Sequence, residues 1–450
     1  MKKIMALSIV CCLLLAACQP ADQPADGDKT TTSSSVTTVP SSTTDSTGSG
    51  TGGTSGSGTS GSSSTVTTGS NSTTGSTGRP SSSSTKKTTT TTTTKTTRPT
   101  VQLEESDMQL LQKIVDTENA WLASMQLDNG AFPMTPTTSG TVKVTPYFSD
   151  FAALSLLNQP EQYAGAVKQY MEWHFDHLNT AQQDYNRVDG TIYDYNISVS
   201  NGKVTGETSL GSYDSTDSYA AMFLIVLQKY VEKTGDTAYV ISRTADIERI
   251  VNALFATMSG DLTLAKPDYA IKYLMDNCEV YEGMVAGAKL YKDTLVPAGG
   301  SSATRDKLAN GAETVKNAIE NRMWSAKGGY YHPALGADNA VAWNFSWNDY
   351  YPSATSQTFL ILHGLLDPSS DRAKSLYDKF CQYVDWENFN HPDTFYWGSN
   401  VLTAAMMGDY TSAKVYFTNY ERVMKRHAYP LYNADAARVC MAAYLFLEMA

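Results

Sequence analysis

YDSTDSYAAMFLIVLQKYVEKTGD, residues 213–236, predicts a helix of a particular kind. Polar and aromatic residues open the segment, a run that is apolar on almost every side follows, and Thr-Gly-Asp ends it. A helix that is apolar all round has to be buried on every side. The segment therefore predicts a helix enclosed by other helices, with its polar beginning at the edge of the core.

Five further segments have this apolar character, and they alternate along the chain with six amphipathic segments. The buried helices are predicted at 149–158, 214–234, 279–292, 352–366, 398–407 and 433–448. The amphipathic helices are predicted at 105–127, 160–178, 242–258, 303–323, 371–384 and 410–426. Because an amphipathic helix covers a buried one, this order predicts six helical hairpins closed into an all-α (α/α)6 toroid.

The connections between these helices differ in length with their direction. The first four that lead from an amphipathic to a buried helix have roughly 20 to 35 residues, and the return connections have roughly 2 to 10. The long loops should gather above the starts of the buried helices, where functional residues concentrate. In one of them, residues 190–207, alternation from Thr191 to Tyr195 and an Asn201-Gly202 turn predict a β-hairpin.

The first hundred residues have a different composition. Two lysines, a short apolar run and Leu15-Ala16-Ala17-Cys18 resemble a lipoprotein signal peptide, 1–18, with its lipobox. Cys18 would carry the lipid and hold the protein on the outer face of a bacterial cell membrane. The alternative is an ordinary secretory signal that contains a cysteine. Residues 19–100 are mostly Ser, Thr, Gly and Pro, which predicts a disordered linker.

The remaining domain, 101–450, is aromatic and acidic. It holds all 27 Tyr, 13 Phe and 7 Trp of the chain, and its formal charge is about −15 because 41 acidic residues outnumber 26 basic ones. A strongly acidic surface disfavours nucleic acid as a partner. Aromatic rings together with carboxylates suit neutral sugars, which stack on the former and donate hydrogen bonds to the latter. We expect a monomer with a carbohydrate ligand.

Cysteine and histidine give little sign of a metal site or disulfide. Cys278, Cys381 and Cys440 are too few and too widely spaced for a disulfide framework, and each is predicted to be a small buried residue. His174 and His177 are expected on a solvated helix face. No metal-binding spacing or phosphate-binding glycine loop occurs, so we predict neither a metal nor another cofactor.

Two short motifs carry a resemblance to a known family. Ala120-Trp121-Leu122 precedes MQLDNGAFP at 125–133, and Met323-Trp324 precedes Gly328-Gly329-Tyr330-Tyr331. With the helix pattern, these resemble the six-hairpin glycosidase superfamily, which includes glucoamylases and neutral invertases. The resemblance covers 101–450 as a pattern. It implies an (α/α)6 glycoside hydrolase-like domain, as a resemblance of fold more than of activity.

The same resemblance suggests a catalytic acid at the start of the second buried helix. In neutral invertases and debranching glucosidases a similar helix begins with a catalytic aspartate and ends in Tyr and Thr-Gly-Asp. Here the spacing from Asp217 to Tyr230 is one residue longer, so Asp214 and Asp217 both stay open as the acid. Either aspartate could instead be the helix N-cap.

Glycoside hydrolysis needs a second carboxylate. Asp349 is favoured as the base because Trp343, Trp347, Tyr350 and Tyr351 surround it in the sequence. The other candidates for this role share a place in a long loop or at a buried-helix start: Asp150, Glu279, Glu282, Asp393 and Asp435. The residues predicted to bind substrate are Tyr147, Asp150, Tyr213, Glu282, Trp347, Tyr351, Tyr396 and Trp397.

The sequence therefore predicts a surface lipoprotein with glycoside hydrolase-like activity on an extracellular oligo- or polysaccharide. The predicted mechanism inverts the anomeric configuration. One alternative is a non-catalytic glycan-binding lipoprotein. Another is a polysaccharide lyase or epimerase on the same toroid, although the acidic domain would repel uronate polymers.

Overall fold

A computed structural model describes residues 101–450. The predicted signal peptide, the lipid on Cys18 and the linker lie outside the described residues. Within 101–450 there are thirteen α-helices, and twelve of them are the predicted alternating set. The inner helices are α2 (Pro146–Leu156), α4 (Thr216–Thr234), α7 (Leu274–Leu290), α9 (Thr355–Leu362), α11 (Gly398–Met407) and α13 (Asn433–Met449). The outer helices are α1 (Glu105–Ser124), α3 (Pro160–Asp176), α6 (Thr244–Ala256), α8 (Ser302–Ala318), α10 (Asp371–Tyr383) and α12 (Tyr410–Met424), and α5 (Thr237–Ser242) is a short addition.

The inner helices form a closed ring. Each packs against the next in chain order, and α13 packs against α2 as well as α11. The ends of the domain meet where the amide of Val101 donates to the carbonyl of Met449 at 3.3 Å. The predicted all-α toroid of six hairpins is therefore confirmed.

The ring is tight because small residues let its helices approach closely. A Cβ atom on Gly283 of α7 would lie 2.6 Å from the Cα, Cβ and O atoms of Ala221 in α4. The interface between the second and third inner helices thus depends on the absence of that side chain. α4 itself is buried without interruption from Thr216 to Leu227, as its composition predicts.

Two inner helices differ from the predicted bounds. α7 begins at Leu274, five residues before the predicted start, because a strand at Ile271–Tyr273 leads directly into it and Leu274 and Met275 are buried. α9 is short, and a π-helical turn at Tyr350–Ala354 precedes it. The first difference matters for the site, since it brings Asp276 into the first turn of α7.

Small sheets lie in the long loops. The predicted β-hairpin is present as β2 (Tyr195–Ser200) and β3 (Lys203–Ser209), with Asn201 and Gly202 at φ of 52° and 72°. It begins four residues later than the predicted alternation, and β1 (Gly140–Val144) adds a third antiparallel strand beside β2. Three two-stranded sheets follow: Met258–Ser259 with Leu262–Thr263, Ile271–Tyr273 with Ala334–Gly336, and Trp324–Ser325 with Tyr330–Tyr331.

The predicted solvent exposure of His174 is wrong. His174 is 1% exposed and stacks on Phe223 of α4, with ring centroids 3.5 Å apart. His177 is closer to the expectation, since it keeps some exposure and pairs with Glu207 at 2.7 Å. Cys278 and Cys440 are buried, and Cys381 is partly buried. None of the helices within 101–450 has both the length and the apolar character needed to cross a bilayer.

Candidate functional site

One end of the ring, where the inner helices begin, is called the mouth. Hydrogen bonds there join residues at or near the starts of all six inner helices. The pairs that connect different helices are Tyr147 of α2 with Glu279 of α7, Ser215 at the N-cap of α4 with Asp276 of α7, Arg438 of α13 with Tyr147, Gly398 of α11 with Asp435 of α13, and Asn400 of α11 with Tyr350 before α9. The mouth is therefore a continuous polar layer above an apolar core.

Glu279 is held at the mouth by a tyrosine from another helix. It is 2% exposed, and its Oε1 accepts a hydrogen bond from Tyr147 Oη at 2.5 Å. Burial, and then the charge of Glu279, raise the pKa of Tyr147 well above its usual value. The phenol is therefore protonated at neutral pH and is the donor in this bond.

Arg438 is the basic residue beside this pair. Its guanidinium lies 3.7 Å from the ring centroid of Phe151, and one of its nitrogens donates to Tyr147 Oη at 3.4 Å. The side chain is 9% exposed. The ion pairs of the described residues do not include Arg438, and its charge acts on Tyr147 and on Asp435.

Asp217, a predicted catalytic acid, lies beneath the surface of the mouth. It has no exposed surface, and it accepts hydrogen bonds from Ser215 Oγ at 2.5 Å, Thr263 Oγ1 at 2.6 Å and the Ser218 amide at 2.8 Å. Burial raises its pKa to about 7 despite these bonds. A carboxyl group without exposed surface cannot touch a substrate unless its cover moves.

Asp276 is the more accessible neighbour of Asp217. The hydroxyl of Ser215 lies between them, 2.5 Å from Oδ1 of Asp217 and 3.4 Å from Oδ2 of Asp276. Burial, followed by the charges of Asp217 and Glu279, raises the pKa of Asp276 well above its usual value. Asp276 is therefore a partly exposed carboxyl group whose pKa is raised.

Asp435 occupies the opposite side of the ring. It is 7% exposed, lies in the first turn of α13, and accepts the amide of Gly398 at 3.0 Å. Burial raises its pKa to about 6, although the Gly398 amide and the charge of Arg438 both lower it. This value allows both protonation states near neutral pH.

Two of the predicted substrate-binding carboxylates are placed elsewhere. Asp150 has no exposed surface and accepts the hydroxyl of Tyr170 from outer helix α3 at 2.8 Å, so it faces the hairpin interface and not the mouth. Glu282 pairs with His363 at 2.6 Å, one turn below Glu279 and at the end of α9. Neither placement supports substrate binding.

Asp214 and Asp349 remain exposed at the rim of the mouth. The charge of Asp214 acts on Asp276, which places it among the carboxylates of the mouth. Asp349 accepts a hydrogen bond from Ser353 Oγ at 2.7 Å within its own turn. The structure thus brings Asp214 to the cluster, whereas the side chain of Asp349 is bonded within its own turn.

The predicted aromatic residues divide into two groups. Tyr351 is 47% exposed and lies 5.5 Å from Trp397, whose indole nitrogen donates to Asp393 at 3.1 Å. Trp397 has a φ of 49°, which is rare for a bulky residue and marks a constrained position. Tyr213 is buried against Tyr185 and Tyr193, Trp347 stacks on Tyr383, and Tyr396 packs against Phe389.

Sequence reasoning missed Asp276 and Arg438. Asp276 precedes Glu279 by three residues and so shares its helix face, but the predicted start of the helix excluded it. Arg438 is the one basic residue in the otherwise apolar and acidic segment of α13, three residues after Asp435. A single cation on an otherwise apolar helix is a sequence signal that could have identified Arg438 as a candidate site residue. Within 101–450 no group of three or more His, Cys, Asp or Glu could hold a metal ion.

No protein-family model matches the chain, and no curated protein matches its sequence. Solved structures do match. A point variant of a glycosidase matches with a TM-score of 0.55 and 13% identity, over 76% of this chain and 99% of its own. A second variant, in complex with glucose, has a TM-score of 0.54 and 12% identity over 77% and 99% of the two chains. The wild-type glycosidase has a TM-score of 0.53 and 14% identity over 77% and 98%.

The fold is glycosidase-like. At identities this low, the similarity is one of fold, and the chemistry has to be argued from the mouth.

Proposed function

We propose that this protein is a glycoside hydrolase that acts at the mouth with Asp435 as proton donor and Glu279 as base. The observation that carries the proposal is the placement of these two carboxylates. They lie on the sixth and third inner helices, which are opposite members of a six-helix ring. A glycosidic bond held over the centre would have one carboxylate on each side.

The environments of the two carboxylates differ as this chemistry requires. The donor must be protonated and the base ionised. Burial raises the pKa of Asp435 to about 6, which keeps a useful protonated fraction at mildly acidic pH. Glu279 accepts the Tyr147 hydroxyl through Oε1, which is the acceptor role that an ionised carboxylate has.

An inverting mechanism is proposed for Glu279 with Asp435, and the close pair of Asp217 with Asp276 does not fit it. Inverting enzymes keep roughly 6.5–9.5 Å between the carboxylates so that water fits between them. The two bonds to Ser215 limit the nearest oxygens of Asp217 and Asp276 to about 5.9 Å, the sum of 2.5 and 3.4 Å. Glu279 and Asp435 instead lie on opposite helices of the ring.

The substrate is proposed to be an oligo- or polysaccharide. The structurally similar glycosidases support this, and one of them is in complex with glucose. The exposed ring of Tyr351, beside the partly buried Trp397, offers a stacking surface at the rim, since aromatic faces bind the CH faces of sugars. This pair would also serve a non-catalytic glycan-binding protein, which is the second candidate function.

The test is hydrolysis of a panel of neutral, acidic and amino glycans, which is measured by the release of reducing ends. Glu279→Gln and Asp435→Asn should each lower kcat at least about 100-fold. Asp214→Asn, Asp217→Asn and Asp349→Asn are the comparison set, because the sequence favoured these positions. NMR of the first product formed shows whether the anomeric configuration inverts.

The results of the glycan panel distinguish the proposed hydrolase from its alternatives. A wild-type protein that hydrolyses nothing but binds a glycan in calorimetry would support the binding function. Full activity in both Glu279→Gln and Asp435→Asn, with a large loss in Asp349→Asn, would restore the base favoured by the sequence. Circular dichroism melts exclude variants that lose activity by unfolding.

We also propose that the domain is displayed as a lipoprotein at the outer face of a bacterial cell membrane. The support is the lipobox-like Leu15-Ala16-Ala17-Cys18. Cells fed labelled palmitate should label the wild-type protein. Cys18→Ala should abolish the label and release the protein from the membrane fraction, and an unchanged distribution would contradict the anchor.

A further inference from the structure

A hydrogen-bonded chain of three side chains crosses the mouth and ends on the proposed base. It starts at Arg438 of α13, continues through Tyr147 of α2, and reaches Glu279 of α7. The bonds are 3.4 Å and 2.5 Å long. Because these helices are the sixth, first and third of the ring, the chain connects elements that are distant in sequence.

We propose that Tyr147 and Arg438 are positioning residues that fix the orientation of the Glu279 carboxylate for attack by water. The inference rests on the proposed function, because it assigns a role beside the base named there. Tyr147 donates to Oε1, which leaves Oε2 as the oxygen that takes the proton from water. Arg438 acts on Glu279 only through Tyr147.

The geometry makes each link directional. Arginine has donors and no acceptor, so it donates to the phenol oxygen, and the phenol hydrogen is then committed to Glu279. A phenol that accepts a hydrogen bond from a cation is polarised toward donating its own hydrogen. The Tyr147 ring is fixed by Phe151, 5.2 Å away edge to face, and by Tyr219, stacked at 6.0 Å.

Three other titratable groups lie near Glu279. Asp217 from α4 and Asp276 from α7 are acidic neighbours whose charges interact with it, and the Cys278 thiol lies beside it on α7. The cations and histidines on the other packed helices engage different residues of α7: His363 of α9 binds Glu282, and Lys316 of α8 lies over Tyr281. Tyr147 therefore donates to Glu279, while these cations and histidines engage other residues.

The experiment compares Tyr147→Phe with Tyr219→Phe, a matched control. Tyr219 stacks on Tyr147, but its hydroxyl donates to Asp194 at 2.9 Å, away from the proposed base. Loss of a hydrogen bond to a carboxylate should move the acidic limb of the kcat/KM profile up by about one pH unit. Arg438→Lys should move it in the same direction by less, because the cation is kept. Tyr219→Phe should leave the limb in place.

A second readout does not depend on activity. Side-chain ¹³C NMR of glutamate-labelled full-length protein, with Glu279→Gln to assign the signal, follows the titration of Glu279 directly. A higher midpoint in Tyr147→Phe, with no change in Tyr219→Phe, is the expected result. An unchanged midpoint and limb in Tyr147→Phe would overturn the inference. A shifted midpoint in a protein that hydrolyses no glycan would preserve the positioning and refute the proposed function.

Discussion

Tyr147 Oη lies 2.5 Å from Oε1 of Glu279, so the first inner helix is bonded to the third across the mouth of the ring. A contact of this kind needs the ring to be closed, because the two residues are 132 positions apart in the chain. It also places an aromatic donor on one of the two carboxylates proposed for catalysis. The predictions below follow from that arrangement and from the packing beneath it.

The first prediction concerns the pH range of activity. If Asp435 donates the proton, kcat/KM should fall as the pH rises above about 6, where burial has placed the pKa of this carboxyl group. The rate profile of the wild-type protein measures this limb. Asp435→Asn should lack it and show only residual hydrolysis, whereas a wild-type optimum above pH 8 would argue against Asp435 as the donor.

The second prediction concerns the close approach of α4 and α7. Gly283→Ala places a methyl group 2.6 Å from Ala221, so it should lower the free energy of unfolding by about 1–3 kcal/mol. Gly165→Ala is the matched control, since a Cβ at Gly165 of outer helix α3 meets nothing within 4 Å. That variant should gain about 0.5–1 kcal/mol from helix propensity. Urea titrations of both variants provide the measurement, and equal stabilities would refute the packing argument.

The toroid was predictable because its signal is repeated. Each inner segment is apolar all round and each outer one is amphipathic, so a one-residue error in any helix leaves the pattern intact. α11 begins and ends at the predicted residues, Gly398 and Met407. The residues of the candidate site were less predictable, because a side chain reaches the mouth only if it lies in the right turn of its helix.

Asp276 and Asp150 illustrate this limit, the first as a residue that was missed and the second as a residue that was placed at the mouth. Asp276 was missed because strand pairing of Ile271–Tyr273 with Ala334–Gly336, a contact distant in sequence, sets where α7 begins. Asp150 was assigned to the mouth because it stands near a helix start, but its side chain points to Tyr170 of α3. Local sequence predicts the first turn of a helix, whereas the direction of a side chain within it depends on partners elsewhere.

The third prediction concerns sugar binding at the rim. Tyr351→Ala should raise KM several-fold with little change in kcat, because its exposed ring stands beside Trp397 and supplies no group that takes or gives a proton in the proposed reaction. Initial rates over a range of oligosaccharide lengths measure the two constants. Val415→Ala, an exposed position on outer helix α12, is the control for an unrelated surface change. A fall in kcat without a change in KM would contradict a binding role.

The fourth prediction concerns stability and pH, and it gives Asp217 a role that needs no contact with substrate. Its ordinary pKa is 3.8, and burial raises the folded value to about 7. Between these values the folded protein retains a proton that the unfolded chain has released. Raising the pH across this window therefore lowers stability, by at most about 1.4 kcal/mol per pH unit.

Asp217→Asn removes this titration while an amide can still accept from the Ser218 amide and donate to Thr263. The variant should match the wild type near pH 4 and exceed it in stability by pH 7. The difference between the two melting temperatures is the quantity to measure, because buried His174, whose pKa burial lowers, makes stability rise with pH up to about 6.5 in both proteins. If the difference does not grow between pH 4 and 7, the carboxyl group of Asp217 is ionised in the folded protein over this range, and Asp217 does not contribute to the pH dependence of stability.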